Sequence, residues 1–438
     1  LDTVQPGSVK SGNAAQFTAA NIEYLSIADN ASLSGGAISL TVGAWIRADS
    51  LDTSAIMGKY SGISGGLEYQ LLYVSNLIFR VSANGSAVTV LNSSILSTNT
   101  WYFVLAWYDH SAGTINVQIN NGSIDSIAHT GGLFDSTTAF EIGAQSGAIT
   151  WDGRIQSAFL TKEVLSAANR TALYNGGTPL RHADASQYFT QLQAYWNLGE
   201  ESGTRADSAG SNTLTDNATV TQNDGAALID AVDGEYVRQW TDLSGNSLNV
   251  QGTGNVTTKP LFKTAIMNGK PVIRYATNDI LTSVNNLTIG VFDIFIVANV
   301  SVAGFFYDHE ADKSYMYTQT GDSIQVTRGG NTSGKDVSVN WPIDSIKHIF
   351  QHSFNGTHAI HLVYKDGVQL ATTDAVGRTA DPGTGTVAGL ISVGSRVSDL
   401  LTIGADIAEV IVYNRVLNAG ELSRLNRYLG RNFAIPVT

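Results

Sequence analysis

A pattern of short strands separated by tight turns runs along the chain, and it limits the possible folds more than any other feature. The segment TINVQI at 114–119 alternates polar and apolar residues, which is the period of a strand with one buried face. Asn121-Gly122 follows it, and this dipeptide is typical of a two-residue hairpin turn. Further runs of this kind lie at 40–48, 68–74, 77–83 and 101–110. The pattern predicts antiparallel sheets.

The second half of the chain repeats the order of the first. IQSAFLTKEVL at 155–165 and IAEVIVYNRVL at 407–417 share the spacing of their apolar positions, and a short helical pattern follows each. INVQINNG at 115–122 likewise matches IHLVYKDG at 360–367. The interval between the copies is too long for a solenoid of short repeats and fits a duplicated domain. We therefore predict an all-β protein of two tandem antiparallel β-sandwich jelly rolls, each ending in a short helix.

The repeat also suggests domain boundaries. A chain of 438 residues is long for one core and fits two. We predict a first jelly roll at 1–177 and a second at 229–438. The intervening residues 178–228 are rich in Ser, Thr, Asn and Gly, but they contain Tyr195 and Trp196, large aromatic side chains that are expected to pack against a domain. This segment is therefore predicted to be an ordered extension or connector.

Composition restricts the class of partner. The formal net charge is −12, with 25 Lys and Arg residues, whereas nucleic acids and anionic membranes are bound by clustered cations. No run of about 18 apolar residues occurs, so no membrane-spanning helix is predicted. Cys is absent, which excludes disulfides, thiolate catalysis and Cys-based metal sites. Since animal matrix domains usually carry a disulfide, a bacterial or viral source and an extracellular, cell-surface or virion-surface location are favoured.

Several strand motifs resemble those of one protein superfamily. They are Phe17, YLSI at 24–27, TVGAWI at 41–46, IMGKY at 56–60, WYF at 101–103 and GRI at 153–155. In their order and spacing, residues 14–177 resemble the laminin-G-like branch of the concanavalin A-like lectin/glucanase superfamily, found in bacterial secreted proteins and phage particles. The second half is similar to a more divergent member, through VRQWTDLSGN at 237–246 and DIAEVIVYNRVL at 406–417. The resemblance implies a sandwich with ligands bound on a concave sheet face or at the loop rim.

Catalysis by a member of this superfamily would be glycoside hydrolysis, which needs two carboxylates on one strand face. Glucanases of the laminarinase type carry them in an E-x-D-x-x-E strand, and the chain contains no such pattern. The nearest match, Glu310-Ala311-Asp312, lacks the second Glu. We therefore expect no enzymatic activity.

Sugar binding requires an exposed aromatic face for the C–H side of the sugar ring and polar groups for its hydroxyls. Aromatic residues on or beside strands could provide that face, although such residues more often pack in a core. The candidates are Tyr60, Tyr69, Tyr73 and Trp107 in the first domain and Tyr307, Tyr315 and Tyr317 in the second. Trp45 and Trp101 are assigned to the core.

Calcium is the cofactor that the resemblance implies, since many laminin-G-like domains hold a calcium ion at the sandwich rim, where oxygen-rich turns suit a hard cation. The candidate ligands are Asp29, Asn30 and Asp152 in the first domain and Asp242 and Asp406 in the second. The alternative is that these side chains simply make turns. Gln156-Ser157 stand where family members often have an acidic pair, which argues against calcium in the first domain.

Four histidines form another candidate metal cluster. His348 and His352 have the spacing that binds zinc on a helix, but KHIFQHSF at 347–354 matches a strand, on which they would lie about 13 Å apart. A cluster that includes His358 and His361 across a hairpin remains an alternative to ordinary strand histidines.

Three functions are compatible with these features. The first is a non-catalytic extracellular binding or adhesion protein that recognises a glycan or a cell-surface polysaccharide. The second is a virion structural protein, such as a phage fibre, decoration or tail-associated subunit, that assembles with itself or with other virion subunits through edge strands. A polysaccharide hydrolase is the third and least favoured. Neither nucleic-acid binding nor membrane insertion is expected.

Overall fold

The computed structural model describes residues 9–252, 258–276, 278–310, 314–319, 323–328, 336–356, 361–374, 386–396 and 402–437. Within them the chain consists mainly of antiparallel strands, which confirms the all-β class. It divides into two compact units, one of residues 12–229 and one of residues 9–11 with 230–437. No helix in the described ranges has the length and the apolar character needed to cross a bilayer.

The first unit contains most of β1, the strands that follow it as far as β15, and helices α1 and α2. The strands are β1 (Val9–Phe17), β2 (Tyr24–Ile27), β3 (Leu40–Ala48), β4 (Ser54–Tyr60), β5 (Leu67–Tyr73), β6 (Leu77–Ser82), β7 (Val88–Asn92), β8 (Trp101–Asp109), β9 (Thr114–Ile119), β10 (Ile124–Ala128), β11 (Phe140–Ile142), β12 (Gly153–Thr161), β13 (Leu192–Trp196), β14 (Thr215–Asn217) and β15 (Thr221–Asp230). The helices are α1 (Ala167–Tyr174) and α2 (His182–Ala185).

Two antiparallel sheets form the first unit. In one, the strands lie in the order β10-β9-β8-β3-β12, and β12 also pairs with β1 and β13. In the other, the order is β14-β2-β11-β4-β5-β6-β7. One apolar core receives Val42 and Val104 from the first sheet and Leu71 and Phe79 from the second. The first unit is therefore a β-sandwich.

Residues 178–228 are an integral part of the first unit. β13 pairs with β12 and β14 pairs with β2, so the segment adds a strand to each sheet. Trp196 is fully buried, its ring stacks on Phe140, and its Nε1 donates to the carbonyl of Asn212 at 2.7 Å. These contacts order the segment against the sandwich.

Helix α1 begins where the sequence predicts, but the first unit does not end with it. Ser166 caps the helix by accepting a hydrogen bond from the backbone N–H of Asn169 at 3.1 Å. The chain then passes through α2 to β13 and continues to β15. The predicted short helix is therefore present, and in the extension that follows it the strand LQAYW at 192–196 returns the chain to the sheet.

The second unit contains strands β16 to β33 and helix α3 (Ala419–Phe433). The strands are β16 (Gln239–Trp240), β17 (Val250–Gln251), β18 (Leu261–Met267), β19 (Lys270–Tyr275), β20 (Leu281–Ser283), β21 (Leu287–Ile289), β22 (Phe292–Val302), β23 (Phe305–His309), β24 (Ser314–Gln319), β25 (Ser323–Arg328), β26 (Asp336–Asn340), β27 (Lys347–Phe354), β28 (His361–Lys365), β29 (Val368–Gln369), β30 (Thr372–Asp374), β31 (Val387–Gly389), β32 (Ile391–Val393) and β33 (Gly404–Tyr413).

The second unit repeats the strand order of the first. One of its sheets has the order β28-β27-β22-β33, which corresponds to β9-β8-β3-β12. The other has the order β20-β32-β23-β24-β25-β26, which corresponds to β2-β11-β4-β5-β6-β7. The repeat in the sequence thus has a counterpart in the strand pairing.

Helix α3 is longer than the short helix that the sequence predicts for this position, with 15 residues. Leu425, Leu429 and Phe433 recur at helical spacing and are buried. They pack in one cluster with Phe295 and Val297 of β22. The helix therefore covers the outer face of the sheet that contains β22, and this apolar stripe explains its length.

Candidate functional site

One row of side chains crosses the outer face of the seven-stranded sheet of the first unit. Backbone pairing aligns Ser26 with Glu141, Glu141 with Gly58, Gly58 with Gln70, and Gln70 with Arg80. Neighbouring positions on these strands belong to the core, and they are Leu25, Ile142, Met57, Leu71 and Phe79. Because successive side chains of a strand point to opposite faces, the aligned residues face away from the core. We call Ser26, Glu141, Gly58, Gln70 and Arg80 the outer row.

Arg80 is held in place from three sides. Its Nε donates to Oε1 of Gln70 at 2.9 Å, and its Nη2 donates to Oε1 of Gln145 at 2.7 Å. The centre of the guanidinium lies 4.7 Å from the centroid of the Tyr60 ring, which is within range of a cation–π contact. Burial lowers the pKa of Arg80, but a guanidinium remains charged at neutral pH. The outer row therefore contains one fixed positive charge.

The contacts of Arg80 also orient the two amides. A guanidinium can only donate hydrogen bonds, so Gln70 and Gln145 must present their Oε1 atoms to it and turn their Nε2 atoms elsewhere. Among the described residues, nothing accepts a hydrogen bond from Nη1 of Arg80 or from either Nε2. Three groups of N–H donors near the Tyr60 ring thus have no acceptor among the described residues, although Gln70 and Gln145 are only 1% and 8% exposed.

Glu141 is the carboxyl group of the outer row. The backbone N–H groups of Ser146 and Gly147 hydrogen-bond to it, while Oε2 is buried without a partner among the described residues. Burial raises the pKa of Glu141 above its usual range, although those hydrogen bonds oppose the rise. The adjacent Gly58 has no room for a side chain, because a Cβ would lie 2.5 Å from the carbonyl oxygen of Tyr69.

The second unit has an equivalent row of different chemistry. Ser392 of β32 lies opposite Asp308, and Asp308 lies opposite Tyr315. The ring of Phe305 packs against Tyr315 and Tyr317, with centroids 5.2 and 4.6 Å apart. Asp308 and Tyr315 therefore stand where the first unit has Gly58 and Gln70.

Three of the aromatic residues predicted to contact sugars lie on these outer faces. Tyr60 is half-buried beside Arg80, and Tyr317 is half-buried beside Phe305. Tyr315 belongs to the same aromatic group, but it is buried.

The prediction that these aromatic residues contact sugars needs a correction for three of them, because their rings point into a core: Tyr69, Tyr73 and Tyr307. Tyr69 is fully buried, and its hydroxyl donates to the carbonyl of Leu33 at 2.6 Å. Tyr73 and Tyr307 are also members of core clusters. A ring enclosed in this way offers no face to a sugar, and strand periodicity fixes its direction.

Trp107 also requires a correction, for a different reason. It lies on the outer face of the sheet that contains β8, but α1 and the segment 180–195 cover that face. The ring of Tyr174 stacks on Trp45 with centroids 5.8 Å apart, and the guanidinium of Arg170 lies 5.1 Å from the Trp107 ring. This sheet therefore has no free aromatic surface at Trp107.

The calcium ligands predicted in the first unit have other partners. The carboxylate of Asp29 pairs with the ammonium of Lys59 at 2.6 Å. Asn30 accepts a hydrogen bond from a backbone N–H of the turn that follows it, at 3.0 Å. Asp152 accepts one from the backbone N–H of Ala19 at 3.4 Å. Asp29 thus forms an ion pair, Asn30 stabilises a turn, and Asp152 makes a hydrogen bond to a residue distant in the sequence.

The two calcium ligands predicted in the second unit are also engaged. Burial raises the pKa of Asp242, but hydrogen bonds from Leu248 and Ser244 outweigh it and hold the pKa below its usual value. Asp406 forms a two-pronged ion pair with Arg274, at 2.7 and 2.9 Å. Over the described ranges, no three His, Cys, Asp or Glu side chains are grouped so as to hold a metal ion. A calcium ion at the predicted ligands stays a prediction.

The histidines of the second unit are likewise paired. The ring of His348 bonds to Asp366 at 2.6 Å and to Asp344 at 2.9 Å. Burial lowers the pKa of His348, yet the two carboxylates outweigh it and raise the pKa. His352 and His361 share a hydrogen bond of 2.6 Å between their Nε2 atoms, and His358 lies outside the described residues.

Sequence reasoning named Tyr60 in this face and missed the residues around it. Gln70, Arg80 and Glu141 each stand between two apolar residues of a strand, and that alternation places them on the outer face. Gln145 lies in a loop, and no periodic signal marks it. The pairing of distant strands was needed to align the row.

The comparisons with known proteins agree with this architecture in the first unit. Residues 20–169, about a third of the chain, match the family model described as the concanavalin A-like lectin/glucanases superfamily. No curated protein sequence matches the chain significantly.

Solved structures of similar fold were also found. The mouse laminin α1 chain, domains LG4-5, is 14% identical, with a TM-score of 0.30 over 95% of this chain and 96% of that one. A protein from Bacteroides ovatus assigned to carbohydrate binding is 19% identical, with a TM-score of 0.38 over 51% of this chain and 62% of its own length. The Ruminococcus gnavus sialidase CBM40 bound to α2,3 sialyllactose is 10% identical, with a TM-score of 0.29 over 38% of this chain and all of that one.

The strand order of the first unit, the laminin-G-like motifs along it and the match of the family model all concern the same part of the chain. Over residues 20–169 the chain is therefore similar to the concanavalin A-like lectin/glucanases superfamily.

Proposed function

We propose that the first unit binds glycans at the outer row without cleaving them. The observation that carries the proposal is the arrangement of Arg80, which Gln70 and Gln145 fix beside the ring of Tyr60. Hydroxyl and carboxylate oxygens of sugars accept hydrogen bonds from such N–H donors. A tyrosine ring packs against the C–H face of a sugar, so the four side chains supply both kinds of contact that a glycan needs.

The carboxyl groups of the row support binding without cleavage. Glycoside hydrolysis requires two carboxyl groups roughly 5–10 Å apart on either side of the scissile bond. Within the outer row, Glu141 supplies one, and its contacts are to the backbone of Ser146 and Gly147. In the nearest glucanase-like motif, at 310–312, residues 311 and 312 lie outside the described ranges.

A surface polysaccharide outside the cell is the partner that we propose. The superfamily matched by residues 20–169 is named for lectins as well as glucanases, which supports a carbohydrate ligand. Because the available groups of the row are donors and include a positive charge, glycans rich in acceptor oxygens, including acidic sugars, should bind best.

The proposal is tested by Arg80→Ala on an array of neutral and acidic glycans, with the full chain. We expect the affinity for the preferred glycan to fall roughly 10- to 100-fold, which is the usual effect of losing charge-assisted hydrogen bonds. Arg80→Lys keeps the charge but cannot hold both amides, so it should give an intermediate affinity.

Arg47→Ala is the matched control. Arg47 lies on the other sheet, where it bonds to Asp49 and Asn99, and its removal should leave glycan binding unchanged. The proposal fails if wild-type protein binds no glycan, or if R80A and R47A weaken binding equally. Cleavage of a bound polysaccharide by wild type and not by Glu141→Gln would show that the row is catalytic.

Assembly into a larger particle is a second candidate, and one observation favours it. Strand β10 pairs on one side with β9, and it lies at the edge of its sheet within the described residues. Ile124 and Ile127 on this strand are 44% and 43% exposed, although a solvated edge usually carries charges. A free edge with apolar side chains can pair with another subunit.

A further inference from the structure

Lys59 places a positive charge inside the rim of the first unit. Its side chain is fully buried, and oxygen atoms surround its ammonium group. The distances from Nζ are 2.6 Å to Oδ1 of Asp29, 2.6 Å to Oγ of Ser34, 2.9 Å to Oε2 of Glu68 and 2.9 Å to the carbonyl oxygen of Ser136. We call these four oxygen atoms and the space between them the rim cage.

The rim cage joins parts of the chain that are distant in sequence. Asp29 and Ser34 belong to the connection between β2 and β3, Glu68 to β5, and Ser136 to the connection that leads to β11. Glu68 also attaches the cage to the backbone of both connections, because it accepts hydrogen bonds from the N–H groups of Gly35 and Ser136. Burial raises the pKa of Glu68, while the charge of Lys59 lowers it. The ammonium of Lys59, on β4, therefore links two connections and strand β5.

The chemistry of the cage is that of a cation site. Two carboxylates, a hydroxyl and a backbone carbonyl are the oxygen ligands that a hard divalent ion such as calcium takes. A buried lysine is costly unless its charge is paired and its N–H groups are hydrogen-bonded, and here both conditions are met. The same oxygens that would coordinate a metal thus satisfy the ammonium.

We propose that Lys59 is a tethered cation that closes the rim of the first unit in place of a metal ion. Asp29, which the sequence predicts as a calcium ligand, pairs with this ammonium group instead. Lys162 lies nearby, but its Nζ donates to the carbonyl of Ala31 at 2.7 Å, outside the cage. The rim is therefore complete without calcium, and removal of the ammonium opens a site that a divalent cation can fill.

The test compares thermal unfolding of the full chain in calcium and in chelator. Wild type should melt at the same temperature in both. Lys59→Ala should melt roughly 10 °C lower in chelator, because it leaves two carboxylates uncompensated, and should regain most of that loss in millimolar calcium. Lys162→Ala removes a neighbouring ammonium that is not in the cage, and it should show no response to calcium.

Lys59→Met, which keeps most of the apolar stem, repeats the measurement if Lys59→Ala does not fold in chelator. Calcium binding to either variant, measured by titration calorimetry, should disappear when Asp29→Ala is added. A wild-type protein that calcium stabilises and chelator destabilises overturns the proposal. Variants that gain no stability from calcium overturn it as well, as do variants that stay unfolded with and without the ion.

Discussion

At the scale of single residues, Glu409 is a buried carboxyl group whose ionisation should affect the stability of the second unit. It is 4% exposed on β33, and burial raises its pKa to about 7. Neither carboxyl oxygen has a hydrogen-bond partner among the described residues. Burial raises the pKa values of Tyr413 and Tyr428, and the charge of Glu409 adds to both increases, which places all three groups in the region between the sheet and α3. The folded state therefore favours the neutral acid.

This raised pKa predicts that the second unit loses stability as the pH rises from about 4.5 to about 7. The stabilisation is fully present below the ordinary pKa of 4.5 and is lost as the pH rises through about 7. By pH 9 the loss should reach about 3 kcal/mol. Glu409→Gln cannot ionise, so denaturant unfolding should show it to be more stable than wild type at pH 9 and similar at pH 5.

Glu421→Gln is a useful control because the pKa of Glu421 is shifted in the opposite direction, to about 2, by Arg415 and the backbone of Asn418. Its contribution is present above 4.5 and lost only as the pH falls through about 2. Glu421→Gln should therefore lower stability equally at pH 5 and pH 9. Equal unfolding curves of E409Q and wild type at pH 9 would contradict the role of Glu409.

Residue positions could be predicted from the sequence only as far as strand alternation determines them. It places Arg80 outside the core, and the same rule would have placed Tyr69 inside, since Leu71 shares its face. Strand alternation could not predict that Trp107 is covered, because the residues that cover it are distant in the sequence. Gln145 reaches Arg80 because of the conformation of its loop, and no periodic pattern in the sequence predicts that conformation.

At the scale of elements, helices α1 and α3 show which of their features can be predicted from the sequence. The capping residues fixed the start of α1 at Ser166, but its role as a cover for the aromatic face of β8 depends on the packing of residues 180–195. Helix α3 has a capping box, in which Asn418 and Glu421 each accept a hydrogen bond from the backbone of the other. Such a box predicts the start of a helix, whereas its length depends on the apolar stripe that the sheet accepts.

The capping box predicts a measurable contribution to the docking of α3. Asn418→Ala removes the acceptor for the backbone N–H of Glu421 and should lower the stability of the second unit by about 1 kcal/mol. Asn418→Ser keeps a capping oxygen and should lose only a small part of that. Equal losses in the two variants, measured by denaturant unfolding, would show that the cap contributes nothing specific.

At the scale of the whole molecule, the sequence repeat predicted the duplicated strand order, because conserved spacing between strands implies conserved pairing. It could not predict that the two outer rows differ. Arg80 and Gln70 in one unit correspond in position to Thr327 and Tyr315 in the other, and only the aligned registers show this. The two units thus share a topology and present different surfaces.

Assembly through β10 is a prediction about the whole molecule. If this edge pairs two copies, Ile124→Lys with Ile127→Lys should convert an oligomer into a monomer in light scattering, because charged side chains disfavour pairing at an edge. Ile63→Lys is the control, since Ile63 is also exposed but lies in a loop. A wild-type protein that is monomeric at high concentration would exclude this mode of assembly.

The ammonium of Lys59 has a consequence for where such a molecule can work. A bound ion has a dissociation constant and leaves when phosphate, citrate or an acidic polymer competes for it, but a side chain is covalently part of the fold and cannot be diluted away. The oxygens around Lys59 are therefore neutralised from the moment the chain folds. A rim of this kind keeps its shape in fresh water and in brine alike, whatever the supply of calcium.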